Sequence, residues 1–208
     1  MLEDRDMRYY SYVVSRDYGF APNPFGKFCT LATCKQRIRK SAKVGDWIFG
    51  ITSRKLNNRL LYAMKVDDKL SYNDYWNDPR FQYKKPVMNG SLKQMYGDNI
   101  YFYNEEKKLW HQENSHHSLD NGDINNLNLE RDTSGQFALV SQHFYYFGSD
   151  AVKIPRSTKD AIVIGIGYKI VENKKGKNLV NWLSNNYELG YHADPISFTE
   201  FERYDGVR

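Results

Sequence analysis

The chain has little cysteine: Cys29 and Cys34 are the whole complement. That count excludes a disulfide framework. Their five-residue spacing is not the two-residue gap of a redox pair or a zinc knuckle. Both therefore read as reduced and, in the main, as packing residues. A reactive thiol is the lesser alternative. Long apolar runs are missing too. The longest are about seven residues, as in 161–167, against the roughly 20 that a membrane helix needs. Residues 1–8 are charged and hold no apolar signal core, so export through a standard signal peptide is not expected and a cytoplasmic location is.

Phosphate-cradling glycine loops are also lacking. The pattern GxxxxGK[ST] does not occur. Gly165-Ile166-Gly167-Tyr168-Lys169-Ile170 starts like a dinucleotide loop after an apolar run, but Ile170 stands where the third glycine belongs. No segment resembles a flavin, radical, methyl-donor or sugar-donor motif, so no cofactor is expected. Repeats, low-complexity tracts and composition breaks are absent, which predicts one domain over 7–208 behind a short extension, 1–6.

What is present in excess is aromatic. Seventeen Tyr, eleven Phe and four Trp make up 15% of 208 residues, and 30 Lys and Arg exceed 25 Asp and Glu. A strand-rich protein accounts for the rings. A surface that meets nucleic acid, with rings for stacking and cations for phosphate, accounts for rings and charge together.

The pattern of residues predicts mixed secondary structure. RYYSYVVS over 8–15 reads as a strand, and the loop 16–28 is ordered by two prolines and four aromatics. The stretch 30–42 has helical character and carries Lys35, Arg37, Arg39 and Lys40, the most basic window in the chain. Strands follow at 43–50 and 59–69, as an antiparallel pair, and a short turn or helix at 72–78. The region 87–132 is polar and turn-rich, with a short strand near 99–104 and a surface loop at 114–123. A strand over 136–147 is broken near Ser141, an apolar run follows at 161–164, and 176–186 is an amphipathic helix.

Three histidine-centred chemistries are open. His116 and His117 are adjacent, so on a strand they point apart and share an ion poorly; no metal site is expected. Asp120, Asp123, Glu130 and Asp132 lie near them in sequence and could pair with them as acid and base. His143 shares a strand face with Tyr145 and Phe147 and could act as an acid-base group near neutral pH, or sit in the core.

The run 9–50, YYSYVVSRDYGFAPNPFGKFCTLATCKQRIRKSAKVGDWIFG, resembles the bacterial and phage family called nucleotide modification associated domain 2. The resemblance continues in RLLYAMKVDDKLSYNDYWND (59–78) and NLERDTSGQFALVSQHFYYFGSDAVKIP (128–155). Over about 25 residues, VGDWI and LLYAMKV also look like the strand pair of PUA-like and EVE-like barrels, which hold a flipped modified base in an aromatic cage. Together these imply an α+β domain with a curved, mostly antiparallel sheet, a PUA-like or EVE-like barrel, and flanking helices. They imply recognition of a modified nucleobase or nucleotide in a DNA-modification or phage-defence system. Tyr10, Phe25, Trp47, Tyr75, Trp76 and Tyr146 would stack on the base. Asp17, or Asp46, would accept from its amino group, and Arg16, Arg37, Arg39 and Lys40 would meet phosphate. The alternative is an enzyme acting on the same ligands, with His143 as acid or base assisted by Asp132 or His116. A third reading is a protein-interaction subunit. Expected partners are thus nucleic acid or a free nucleotide, other proteins of such a system, and no membrane.

Overall fold

A computed structural model describes residues 7–160, 162, 165 and 167–207. The extension 1–6 lies outside them, as do 161, 163, 164 and 166 of the apolar run and glycine pair. In chain order the elements are β1 (Tyr9–Val14), β2 (Cys29–Leu31), α1 (Gln36–Ser41), β3 (Trp47–Thr52), β4 (Leu60–Lys65), β5 (Asp68–Ser71), α2 (Tyr72–Asn77), α3 (Leu92–Met95) and β6 (Tyr101–Asn104). They continue with β7 (Leu109–Gln112), α4 (Asn126–Thr133), β8 (Phe137–Ser141), β9 (Phe144–Tyr146), α5 (Arg156–Lys159), β10 (Tyr168–Val171), α6 (Asn173–Asn186) and β11 (Gly190–Tyr191). The protein is α+β. None of these helices is long and apolar enough to cross a membrane.

The chain forms two compact units, each assembled from three separated segments. The first takes the chain up to Arg16, then Ala42–Asp67 and Ser141–Ile196. Its sheet runs β10-β1-β3-β4-β9-β11. The β1–β3 and β9–β11 pairs are parallel and the other three antiparallel. Two free edges, β10 and β11, leave this sheet open, so the barrel implied by the strand-pair resemblance is not formed among the described residues. The pair itself is present: β3 and β4 are antiparallel neighbours with a register shift at Gly50/Ile51. Tyr9, Trp47, Phe49, Ala63, Tyr145 and Phe147 face a core closed by Leu179 and Leu183 of α6. The helix comes down at Gly176, where a Cβ would lie 2.2 Å from the Tyr9 ring, so only glycine permits this approach.

The second unit comprises Asp17–Ser41, Asp68–Val140 and the chain from Ser197 onward. It holds a three-stranded sheet, β2-β8-β5, and the β6–β7 hairpin. Two aromatic clusters fill it. One gathers Tyr18, Phe20, Tyr72, Tyr96, Ile100 and Tyr101; the other gathers Ala32, Tyr75, Phe81, Ala138 and Val140.

Several sequence expectations change. The predicted helix 30–42 is strand β2, then a turn, then the shorter α1. The stretch 114–123 is no surface loop over its first half: Ser115, His116, His117 and Ser118 are all buried. The break near Ser141 is real, and it sends β8 and β9 to different sheets.

Candidate active site

The second unit places a thiol, an imidazole and a carboxylate in a line. Between β2 and α1 the chain turns through Cys34 and Lys35, with φ of 53° and 38°. Neither is glycine, so this left-handed turn is strained and must be held by its surroundings. It is held from both sides. The Cys34 N–H donates to Asp132 Oδ1 at 2.8 Å, and the Cys34 carbonyl accepts from Arg39 Nε at 2.7 Å. Arg39 is fully buried, and its other donors reach Tyr72 Oη and the carbonyls of Phe137 and Asp132, each at 2.7 Å. One guanidinium thereby ties the Cys34 turn to the end of α4 and the start of β8.

His117 sits in the turn after β7. Its carbonyl accepts from Gln112 Nε2 at 3.1 Å and Asn128 Nδ2 at 2.9 Å. Its ring lies among Phe20, His116 and Tyr204, at centroid distances of 4.7, 5.3 and 5.6 Å. Nδ1 is 2.7 Å from Asp132 Oδ2, and Nε2 is 3.8 Å from Cys34 Sγ. Asp132, on the last turn of α4, also accepts from Tyr101 Oη at 3.0 Å. The carboxylate and imidazole are enclosed, whereas Cys34 is half-buried.

Charge follows geometry. Burial alone would lower the His117 pKa, but the Asp132 carboxylate and then Cys34 raise it to about 9. Burial alone would raise the Asp132 pKa, but His117, then Arg39 and the Cys34 N–H bond, bring it below 3.8. The pair is therefore an imidazolium–carboxylate pair at neutral pH, with the imidazolium beside the sulfur. Cys29 differs: it is fully buried, and burial pushes its thiol up to about 12.

Among the described residues, Cys34, His117 and Asp132 also form the one set of three metal-type donors close enough for a single cation. Their order argues for proton relay. The carboxylate engages Nδ1 and the thiol faces Nε2, so the imidazole stands between them. The 2.7 Å contact is a charge-assisted hydrogen bond, which an ion ligated by both atoms would have to displace.

The other residues singled out in the sequence are distributed as follows. Asp132 and His116 lie in this unit, but the imidazole on Asp132 belongs to His117; His116 Nδ1 meets the Glu202 carbonyl at 2.5 Å. His143 belongs to the first unit, edge-on to Trp47 at 5.3 Å, its pKa lowered by burial. Tyr10, Trp47, Tyr75 and Tyr146 are at most 3% exposed, and Phe25 is buried against Phe198. Trp76 is half-buried, with Phe102 at 4.6 Å and Lys85 Nζ 3.6 Å from its ring centre. Asp17 is buried, its carboxylate near the Gly19 N–H at 3.4 Å, and Asp46 accepts the N–H groups of Arg8 and Lys43. Arg16, Arg37 and Lys40 are exposed, while Arg39 is the buried tie described above. The sequence offers Cys34 only as the lesser, reactive-thiol alternative and His117 only beside His116 as a partner of the acidic cluster; the fold brings both to Asp132.

The scaffold is mixed α+β, and it brings the Cys34 thiol, the His117 imidazole and the Asp132 carboxylate together. The family model described as nucleotide modification associated domain 2 matches residues 6–202, so the chain belongs to that family. Its membership associates it with nucleotide modification. No curated protein and no solved structure matches the chain.

Proposed function

We propose that the protein is a thiol-dependent enzyme of nucleotide or nucleobase modification, with Cys34 as nucleophile, His117 as acid and base, and Asp132 as the residue that positions His117. The observation that carries this reading is the line Asp132 Oδ2···Nδ1 His117 Nε2···Sγ Cys34, at 2.7 and 3.8 Å, ending on a half-buried thiol. A thiol–imidazole contact of this length suits a resting site that tightens when substrate binds.

Acyl transfer is the reaction class this set supports best. Cys34 Sγ attacks a carbonyl carbon as the thiolate of a thiolate–imidazolium pair, its proton already resting on His117 Nε2. The leaving amine or alkoxide takes that proton from Nε2, and a thioester remains on Cys34. An acceptor, such as the amino group of a nucleobase or water, gives its proton back to His117 and releases the acyl group. The Cys34 N–H is held by Asp132 and so does not stabilise the oxyanion. The adjacent Thr33 hydroxyl is buried without a protein partner.

The aromatic-cage reading receives less support, because Tyr10, Trp47, Tyr75 and Tyr146 are enclosed by protein. The test uses p-nitrophenyl acetate as a generic acyl donor and intact-mass spectrometry as the readout. The expected result is one acetyl group per chain, on Cys34, lost in Cys34→Ser and slowed at least tenfold in His117→Ala. A deoxynucleoside or oligonucleotide added afterwards should gain the acetyl group or speed its release. Acetylation that is absent, or that survives in Cys34→Ser, would sink the proposal.

A further inference from the structure

The first unit carries a concave patch of one charge sign that the thiol chemistry does not use. Arg59, Lys153, Arg156 and Lys159 line a cleft of about 470 Å³ together with Asn57, Asn58 and Ile154. None of its described lining residues carries a carboxylate. Its volume falls in the size class of small-molecule sites. Four cations around one concavity repel each other, and the low-dielectric walls focus their field outward, so an anion is the ligand that relieves the arrangement.

The backbone keeps the cleft open. Asn57 and Asn58 are consecutive left-handed residues, with φ of 66° and 50°, in the turn that leads into β4. Asparagine tolerates that conformation better than other side-chain-bearing residues. The turn is closed by the Asn57 and Asn58 N–H groups on the Arg54 and Ser53 carbonyls, at 3.0 and 3.2 Å. Arg59 is braced by the Ala151 carbonyl at 3.1 Å. The opposite wall, Lys153 to Lys159, is anchored where Val152 and Leu60 exchange backbone hydrogen bonds of 3.0 and 2.8 Å. Asn58 Oδ1 is buried without a protein partner.

We propose that this cleft is a phosphate-binding site, taking the phosphates of a free nucleotide or of a nucleic-acid backbone. None of Arg16, Arg37, Lys40 and Cys34 is among its lining residues.

Fluorescence anisotropy tests it with a labelled 12-nucleotide DNA strand, the matching duplex and a labelled deoxynucleoside triphosphate, each at low and raised salt. Inorganic phosphate serves as competitor. The Lys153→Glu/Arg156→Glu variant should bind at least tenfold more weakly. A charge-matched control on α6, Lys174→Glu/Lys177→Glu, should lose much less. Circular dichroism reports folding, and Lys153→Gln/Arg156→Gln replaces the reversal if that variant unfolds. Triphosphate binding that inorganic phosphate displaces identifies a nucleotide site. Binding of the DNA forms alone, with a steep salt dependence, identifies a backbone site. Equal losses in cleft and control variants, or no binding of any probe, would overturn the proposal. Cys34 acetylation should be unchanged in the cleft variants, so this result and the thiol result fail separately.

Discussion

Asp132 Oδ2 and His117 Nδ1 meet at 2.7 Å with the carboxylate and imidazole sealed from solvent. A buried charge pair is stabilising only while both members keep their charge. His117 has its pKa raised from 6.5 to about 9, against the pull of burial, by Asp132 and Cys34. The folded value is the higher one. The stabilisation is therefore complete below about 6.5 and is lost as pH rises through about 9. Urea unfolding from pH 6 to 10 should show wild type losing its advantage over His117→Asn by on the order of 3 kcal/mol across that window. A constant difference would mean that the folded imidazole is neutral.

Asp132→Asn should preserve volume and remove charge. Asparagine offers no carboxylate to fix the Nδ1–H tautomer, and His117 then faces Cys34 less often in the required state. Acetylation of Cys34 by p-nitrophenyl acetate should fall by about a hundredfold or more. Asp132→Ala adds a structural loss, because it strands the Cys34 N–H and the His117 charge. That loss should be about 3–5 kcal/mol in urea unfolding. Equal rates in wild type and Asp132→Asn would remove Asp132 from the relay.

Gly135 tests how the turn is held. A Cβ there would lie 2.5 Å from Arg39 Nη1 and 2.6 Å from its Cζ. A flexible side-chain end would move away, but this guanidinium is tied to Cys34, Asp132 and Phe137 carbonyls and cannot move without breaking those bonds. Gly135→Ala should cost about 1–3 kcal/mol and slow Cys34 acetylation. An unaltered rate in Gly135→Ala would mean that Arg39 does not set the turn.

The sequence made much of the frame legible and split the site. β1 and β4 fall within the stretches read as strands, and β3 and α6 overlap theirs, because alternation and helical spacing report burial locally. Helix α4 was missed in a polar region, since its stability comes from Asn125 capping and from buried Asn128 and Asp132 rather than from an apolar stripe. Asp132 was picked from its acidic neighbourhood. Its partners are 15 and 98 residues away, a separation that no local pattern encodes. Strand logic put His116 and His117 on opposite faces, but they occupy a turn and their rings stack at 5.3 Å. Arg39 sat in a run of cations that reads as a solvated or phosphate-facing element. Only the fold shows that Arg39 is buried beside Ile38 while Arg37 and Lys40 on either side are exposed.

Lys84 provides a last test in which the pH dependence runs the other way. Its ammonium is fully buried and donates to the Asn23 carbonyl, Asn23 Oδ1 and the Phe28 carbonyl at 3.0, 2.7 and 2.8 Å. Burial lowers its pKa from 10.5 to about 8, with Asp98 and Cys29 opposing. Between those values the unfolded chain binds more protons, so this group makes the fold more stable as pH rises from about 8 to 10.5. His117 loses stability through part of the same range, and in wild type the two slopes partly cancel. Removing one should expose the other. Lys84→Met should lose stability more steeply than wild type between pH 7 and 9, besides a pH-independent loss from three unpaired acceptors. His117→Asn should gain stability from pH 8 to 10. Parallel pH profiles for wild type and both variants in urea unfolding would show that neither group titrates with the folded protein.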